Sequence, residues 1–178
     1  MDYFDTSYGD KIYDEETGEY KMEIFKTCSV CGYEEIGTEE LDSSYDVYLS
    51  IPVEIPLSFN AEAKAYSGSE QIYAYGTLGN AYEGLQVVVN REAENYGKAV
   101  KDEAAYDITS YLSVTFTGRE AAAFTPEQLT ENAALAAAGT LEGLYQDSMD
   151  VSVDALAFVE GGVGNYRISI PVKIELMR

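Results

Sequence analysis

Residues 45–59 read YDVYLSIPVEIPLSF, and this stretch decides the fold class. Apolar side chains occupy every odd position, while most even positions are polar or proline. A period of two places successive side chains on opposite faces of an extended strand. The stretch therefore predicts one long strand with one buried row of side chains.

The prolines of this stretch, Pro52 and Pro56, fall on the outward row. Proline cannot donate a ladder hydrogen bond, so the strand is expected to lie at a sheet edge or to break and cross between sheets. Residues 166–176, YRISIPVKIEL, repeat the alternation around Pro171. We expect these two strands to neighbour one another or to occupy equivalent edges.

The intervening chain predicts further strands near residues 71–77, 85–90, 112–117 and 149–153, and a loop over residues 91–103. Strands of this number with Gly-containing turns are typical of a β-sandwich. Thr125 as N-cap, Pro126 at the first helical position and Gln128 completing a capping box predict one helix that ends before Gly139. The fold class is therefore predicted as an all-β, Ig-like β-sandwich with one short helix in a crossover.

The first 43 residues carry 13 acidic residues against three lysines, and they contain both cysteines. Short strands are predicted at residues 20–27 and 33–37, on either side of the turn from Cys28 to Gly32. We therefore predict a small N-terminal β-hairpin appendage over residues 1–43 and a sandwich domain over residues 44–178.

The formal net charge is −21, from 32 acidic and 11 basic residues. Such a surface repels phosphate backbones and anionic lipid headgroups, so nucleic-acid binding is not expected. Membrane insertion is not expected either, because no apolar run approaches 18 residues. The acidic start, Met1-Asp2-Tyr3, lacks the basic segment of a signal peptide, which leaves two expectations: a trimmed signal, or assembly into a particle made in the cytoplasm.

The chain contains no histidine, which removes the general base of most Ser and Cys triads. Gly161-Gly162-Val163-Gly164 precedes a strand pattern and not a helix, so it does not indicate a phosphate-binding loop. With 32 acidic residues, a carboxylate pair at glycosidase spacing is expected by chance alone. The sequence predicts that the protein is not an enzyme.

Cys28 and Cys31 form the one motif with a chemical mechanism attached. Two thiolates separated by two residues can both reach a zinc ion, but a tetrahedral site needs four ligands. Three interpretations stay open: a disulfide or thiol pair, a relic of a zinc ribbon, or a zinc shared between two chains or completed by Glu34 or Glu35.

Calcium is a second candidate cofactor, because acidic side chains cluster in two places without EF-hand spacing. The first set lies in residues 14–19, DEETGE, and the second comprises Asp147, Asp150 and Asp154. Both sets are also compatible with solvated acidic segments. The 16 tyrosines, in a chain without tryptophan, suit half-buried strand positions or exposed binding pairs.

Residues 20–34, YKMEIFKTCSVCGYE, resemble the zinc-ribbon-like cysteine repeats of extracellular proteins from Gram-positive gut bacteria, in which a strand runs into Thr-Cys-x-x-Cys-Gly-Tyr. SIPVEIPL at residues 50–57, YSGS at 66–69 and SIPV at 169–172 resemble Ig-like β-sandwich modules of the same surface proteins and of related prophage particles. The resemblance implies an exposed adhesive or repetitive role, and it carries no catalytic residue to this chain.

Together these features predict a non-enzymatic extracellular structural or adhesion module of a bacterial surface protein or filament. Its expected partners are other proteins, or copies of itself joined through edge strands, within a larger assembly. Two alternatives remain: a decoration or tail-associated structural protein of a phage particle, located in the virion, and a small zinc-dependent assembly module.

Overall fold

The computed structural model describes residues 4–178, so Met1 to Tyr3, at the start of the predicted appendage, lie outside the described residues. Within that range the chain is mostly extended, with one α-helix and two short 3₁₀ turns at Thr109–Tyr111 and Ala155–Phe158. The strands are β1 (Phe4–Asp14), β2 (Glu19–Cys28), β3 (Glu34–Glu40), β4 (Tyr45–Ser50), β5 (Ser58–Asn60), β6 (Ala65–Leu78), β7 (Gly84–Val89), β8 (Lys98–Lys101), β9 (Ala104–Asp107), β10 (Leu112–Phe116), β11 (Ala121–Phe124), β12 (Asp147–Asp154), β13 (Arg167–Ile168) and β14 (Val172–Met177). The helix is α1 (Pro126–Ala137).

The strands form four antiparallel sheets in the described part of the chain. The first is β1-β2-β3, which we call the N-terminal sheet. The large sheet has the order β10-β12-β6-β4, with β5 also pairing with β6. The third sheet is β11-β7-β14, and the fourth is β13-β8-β9. The prediction of an all-β, sandwich-like fold with one short helix is confirmed.

The main core lies between the large sheet and the β11-β7-β14 sheet. Ile72 of β6, Leu85 and Val87 of β7 and Phe116 of β10 have no exposed surface and belong to one apolar cluster. Burial of such side chains stabilises a fold by roughly 1.5–3 kcal/mol each. A second, smaller cluster around Ile108 joins the fourth sheet to the large one.

Residues 45–59 do not form one continuous strand: the chain breaks at the prolines, as one of the two expectations has it, but it does not cross to another sheet there. Residues 51–57 leave the ladder, because Ser50 pairs with Tyr73 whereas Ser58 pairs with Ser67. The two prolines in this gap have no N–H to donate, so the ladder is interrupted where they occur. Val53 is 99% exposed, so the odd row is not uniformly buried.

The last predicted strand also breaks, at Pro171. Ile168 pairs with Ala99 in the fourth sheet, while Val172 pairs with Val89 in the third, so the chain crosses between sheets at the proline. Strand β4 is an edge strand of the large sheet, and β14 is an edge strand of the third sheet. The two proline-bearing segments therefore occupy equivalent edges, which confirms the second of the two predicted arrangements.

The other predicted strands are confirmed, but the predicted loop is not. The strands expected near residues 71–77, 85–90, 112–117 and 149–153 are present as β6, β7, β10 and β12. The loop expected over residues 91–103 is wrong, since it contains β8. This four-residue strand pairs with β9 and with the distant β13, and its own sequence, KAVK, carries too little periodicity to reveal it.

Helix α1 begins and ends as its sequence predicts. Thr125 accepts a hydrogen bond from the backbone N–H of Gln128, whose side chain accepts one in return from the N–H of Thr125. Gly139 follows the helix with a φ of +70°, a conformation that glycine adopts without strain. Because β11 and β12 lie in different sheets, the helix connects the two sheets as the predicted crossover.

The predicted N-terminal hairpin is present as β2 and β3, and β1 adds a third strand that the sequence did not predict. Arg178 links this sheet to the sandwich, since its guanidinium lies 5.1 Å from the ring centre of Tyr20 and 5.3 Å from that of Tyr82. Lys11 adds a weak contact of 3.5 Å to the carbonyl oxygen of Ala81. The division of the chain at residue 43 into two domains stays a prediction.

Candidate functional site

The cysteine turn lies between β2, which ends at Cys28, and β3, which begins at Glu34. The N–H of Gly32 donates to the carbonyl of Cys28 at 2.9 Å, and the N–H of Cys28 donates to the carbonyl of Tyr33 at 2.8 Å. Gly32 has a φ of +72°, which favours glycine and closes the turn. The turn thus holds Cys28 and Cys31 on one tight loop at the end of the N-terminal sheet.

The pKa of Cys28 is lowered below its ordinary value, first by a hydrogen bond from the side chain of Cys31, then by the backbone N–H groups of Cys31 and Val30. These donors stabilise the thiolate, which is the form that binds metals. Cys31 is exposed and Cys28 is half-buried, and both are free thiols. Two thiols on one turn are half of a four-ligand zinc site.

The acidic side chains proposed to complete that site, Glu34 and Glu35, lie at the start of β3 and are exposed. Over residues 4–178, no cluster of three or more His, Cys, Asp and Glu side chains could hold a metal ion. A zinc ion at Cys28 and Cys31 would therefore require ligands from outside the described chain, such as a second copy.

The predicted calcium ligands are separate side chains with structural partners. Asp147 is buried and binds Thr117 and Arg119. Asp150 accepts a hydrogen bond from Ser69 at 2.7 Å, and Asp154 caps the 3₁₀ turn that follows β12. Each carboxylate thus has its own role in folding, and the structure does not bring the three together.

Asp147 binds two residues of a tight turn between β10 and β11. Residue Thr117 has a φ of +48° and precedes Gly118, at +76°, between β10 and β11. The backbone N–H of Arg119 donates to the carbonyl of Phe116 at 2.9 Å and closes the turn. Asp147 therefore receives two donors from a turn that this geometry holds in place.

The N-terminal sheet exposes an unusual amount of apolar surface. None of residues 4–43 is buried. Ladder partners share a face of the sheet, and the pairs Phe4 with Cys28 and Tyr8 with Ile24 put four such side chains on one face. Phe4 is 42% exposed and Tyr8 is 64% exposed. At the other end of this face the sandwich contacts Tyr20 and Lys11.

Strand β3 is an open edge of the same sheet. The N–H of Leu41 donates to the carbonyl of Tyr20 and that of Cys28 to Tyr33, which fixes the alternation along the ladder. Odd-numbered residues of β3 therefore face β2, and the N–H groups of Glu34, Ile36, Thr38 and Glu40 point outwards. Such a row of unpaired backbone groups is a template for strand addition.

Tyrosine side chains pair across strands, as their suitability for half-buried strand positions predicts. Tyr13 and Tyr20 are ladder partners with ring centres 5.0 Å apart, and Tyr48 and Tyr75 are ladder partners with ring centres 5.3 Å apart. The second pair lines an open groove between the outer face of the large sheet and α1. Sequence reasoning missed this groove, since its two sides are more than fifty residues apart.

No protein family model matches the chain, and no curated protein matches it. One similar solved structure is a chain from the chaperone–tip adhesin complex of CFA/I fimbriae biogenesis, with 12% sequence identity and a TM-score of 0.34. The comparison covers 90% of this chain and 52% of that one, so this chain spans about half its length. A likeness this distant carries no argument about function. Within residues 4–178, no helix is long enough and apolar enough to span a bilayer.

Proposed function

We propose that this protein is a non-enzymatic structural or adhesion module, exposed at a bacterial surface or in a surface filament, that joins a larger assembly through its N-terminal sheet. The observation that carries the proposal is the group of exposed apolar side chains on one face of that sheet, which includes Phe4 and Tyr8. Covering apolar side chains stabilises them, and exposed apolar patches mark contact sites. Another protein chain supplies the missing cover.

The charge of β3 indicates what kind of strand would add to its edge. Antiparallel pairing of two β3 strands around Gly37 would place Glu34 opposite Glu40 and Glu35 opposite Glu39. Like charges directly opposite one another destabilise a ladder, so two copies are not expected to pair through this edge. The favoured partner is a different edge or chain that carries Lys or Arg.

The absence of histidine supports the non-enzymatic part of the proposal. The surface location rests on the resemblance of residues 20–34 and of the proline-bearing strands to modules of Gram-positive surface proteins. A phage particle offers the same kind of assembly, so the decisive experiment has to separate these two locations.

The test places a photo-cross-linking side chain in the full chain, in the native host, at Glu35 on the face of Ile24 and Cys28 and, in a second variant, at Thr38 on the β3 edge. Cell envelope, culture medium, cytoplasm and any phage particles are then analysed separately. We expect a cross-link to one defined partner in the envelope or in filaments, and a cross-link confined to virions would transfer the role to a phage particle. Recovery of free, uncross-linked protein from the cytoplasm contradicts both.

A matched pair of substitutions tests the role of the β3 edge. Thr38→Pro removes an outward N–H without removing a hydrogen bond to β2, so it blocks strand addition while the sheet is retained. Thr38→Ala keeps the N–H and serves as the control. We expect the Thr38→Pro protein to be absent from the assembled fraction and the Thr38→Ala protein to be present in it.

A zinc-dependent assembly module is a second candidate, favoured by the two thiols of the cysteine turn. Cys28 and Cys31 from two copies would supply the four thiolates of a structural zinc site. Metal analysis of the purified protein and sedimentation with and without added zinc test it, with Cys28→Ser as the control. Protein without zinc that stays monomeric when zinc is added removes this candidate.

A further inference from the structure

The groove beside α1 has a volume within the range of small-ligand sites. Its floor is the outer face of β4 and β6, with Asp46, Tyr48, Tyr75 and Thr77, and its wall is formed by three alanines of α1, at positions 133, 136 and 137. The volume of this open groove is about 430 Å³. This lies in the lower part of the range of small-molecule pockets. Alanine in the wall leaves room that a larger side chain would occupy.

The tyrosine pair gives the floor a rigid aromatic surface. The rings of Tyr48 and Tyr75 are inclined by only 20°, and Tyr73 continues the row with its ring centre 6.1 Å from that of Tyr75. Tyr48 is 53% exposed. Tyrosine presents a large amphipathic area with little conformational freedom to lose on binding.

Polar groups lie beside the rings on the same face. Asp46 precedes Tyr48 by two residues on β4, and its ladder partner is Thr77. The hydroxyl of Tyr48 donates to the carboxylate of Asp46, which raises the pKa of Tyr48. A ligand in the groove therefore meets aromatic rings beside the carboxylate of Asp46 and the hydroxyl groups of Tyr48 and Thr77.

The charge of the groove selects among ligand classes. Its lining contains no Lys or Arg, and the whole chain has a net charge of −21, so phosphates, sulfates and acidic sugars are repelled. Organic cations bind best where aromatic rings enclose them. Tyr48 and Tyr75 instead stand nearly parallel at 5.3 Å, so their rings stack on each other and do not form an enclosure.

We propose that this groove binds neutral saccharides, with a sugar ring packed against the exposed part of the Tyr48 ring and its hydroxyl groups bonded to Asp46 and Thr77. The C–H groups of a pyranose carry partial positive charge and suit the negative face of an aromatic ring. Saccharide hydroxyls donate to a carboxylate without bringing a charge of their own. This names the ligand class for adhesion and thus rests on the proposed function.

The test exposes the purified full chain to immobilised neutral glycans that end in glucose, galactose, mannose or N-acetylhexosamines. The same glycans capped with sialic acid or sulfate serve as the anionic arm. We expect binding to at least one neutral group and loss of that binding on capping. Tetramethylammonium is titrated separately by NMR as the cationic arm.

Three variants assign the binding to the groove. Tyr48→Ala is expected to weaken binding by roughly tenfold or more, since it removes half of the aromatic floor. Tyr48→Phe keeps the ring and is expected to keep most of the affinity. Tyr111→Ala, a tyrosine that is 42% exposed and outside the groove, is the control that leaves affinity unchanged. Far-UV circular dichroism verifies that each variant is folded.

The proposal is overturned if no neutral glycan binds, if Tyr48→Ala binds as well as the native chain, or if tetramethylammonium binds at the tyrosines and glycans do not. These outcomes are separate from failure of the proposed assembly role. Cross-linking at Thr38 reports on the N-terminal sheet, and glycan binding by the isolated chain reports on the groove alone.

Discussion

The side-chain amide of Asn132 donates to the backbone carbonyl of Ala74 at 2.8 Å, and this bond fastens α1 to β6. The same amide donates to the carbonyl of Tyr145 at 2.7 Å, while its oxygen accepts from the N–H of Tyr145 at 2.7 Å. Asn132 is fully buried. One side chain thus joins the helix, the large sheet and the segment that leads into β12, and it positions the alanine wall of the groove.

Replacing Asn132 with leucine is expected to lower the free energy of unfolding by about 3 kcal/mol, because it leaves three backbone groups without partners. Chemical denaturation measures the change. Thr130→Ala, at an exposed position of the same helix, is the control and is expected to change stability by less than about 0.5 kcal/mol. Equal stability of the two variants would contradict a structural role for the amide.

Gly76 is required where β6 passes β4. Its φ is +137°, and a Cβ atom would lie 2.8 Å from the Cα of Val47 and closer still to the backbone oxygen of Asp46. Gly76→Ala is expected to destabilise the protein by about 2 kcal/mol or more, since β4 has to move away. Gly37→Ala, where a Cβ would meet open space, is the control in thermal unfolding.

The thiol of Cys28 is expected to react at lower pH than an ordinary cysteine. Its lowered pKa arises chiefly from the side chain of Cys31, so Cys31→Ala should raise the pH midpoint of alkylation at Cys28. Iodoacetamide labelling followed by peptide mass spectrometry gives the rate at Cys28 in each variant as a function of pH. An unchanged midpoint in Cys31→Ala would mean that the neighbouring thiol does not stabilise the thiolate.

Asp14 is expected to titrate well below an ordinary aspartate. Its pKa is lowered to about 2 from 3.8, first by a hydrogen bond from Lys21 at 2.6 Å and then by the N–H groups of Glu16 and Thr17. Because the folded value is the lower one, this carboxylate stabilises the N-terminal sheet fully above pH 3.8 and ceases to do so as the pH falls to about 2. Carboxyl-carbon NMR follows the titration.

Lys21→Met provides the comparison for that titration. Removing the ammonium group is expected to raise the pKa of Asp14 towards its ordinary value, while the backbone donors of the turn keep part of the shift. The difference in stability between the native chain and Asp14→Asn should shrink between pH 4 and pH 2. If the difference in stability is unchanged at pH 2, it does not come from the charge of Asp14 but from another property of the substitution.

Local features were predictable because they depend on neighbouring residues. The capping box of Thr125 and Gln128 and the following Gly139 specify a helix regardless of what packs on it, and β6, β7, β10 and β12 follow from apolar periodicity. The cysteine turn was likewise readable from Cys28 to Gly32. The zinc and calcium interpretations depended on other side chains coming close, which spacing along the chain does not report.

The sequence by itself determined an acidic, histidine-free chain that forms many short strands, one capped helix and a cysteine hairpin, because these properties arise within a few residues. Only the tertiary structure decided that the chain changes sheets at Pro171 but stays in one sheet across Pro52 and Pro56, and that β8 and β13 pair. It also decided that the N-terminal sheet has an uncovered face and that Tyr48 meets Tyr75 beside α1. These outcomes depend on backbone pairing and burial between residues far apart in the chain, which the periodicity of a single segment does not encode.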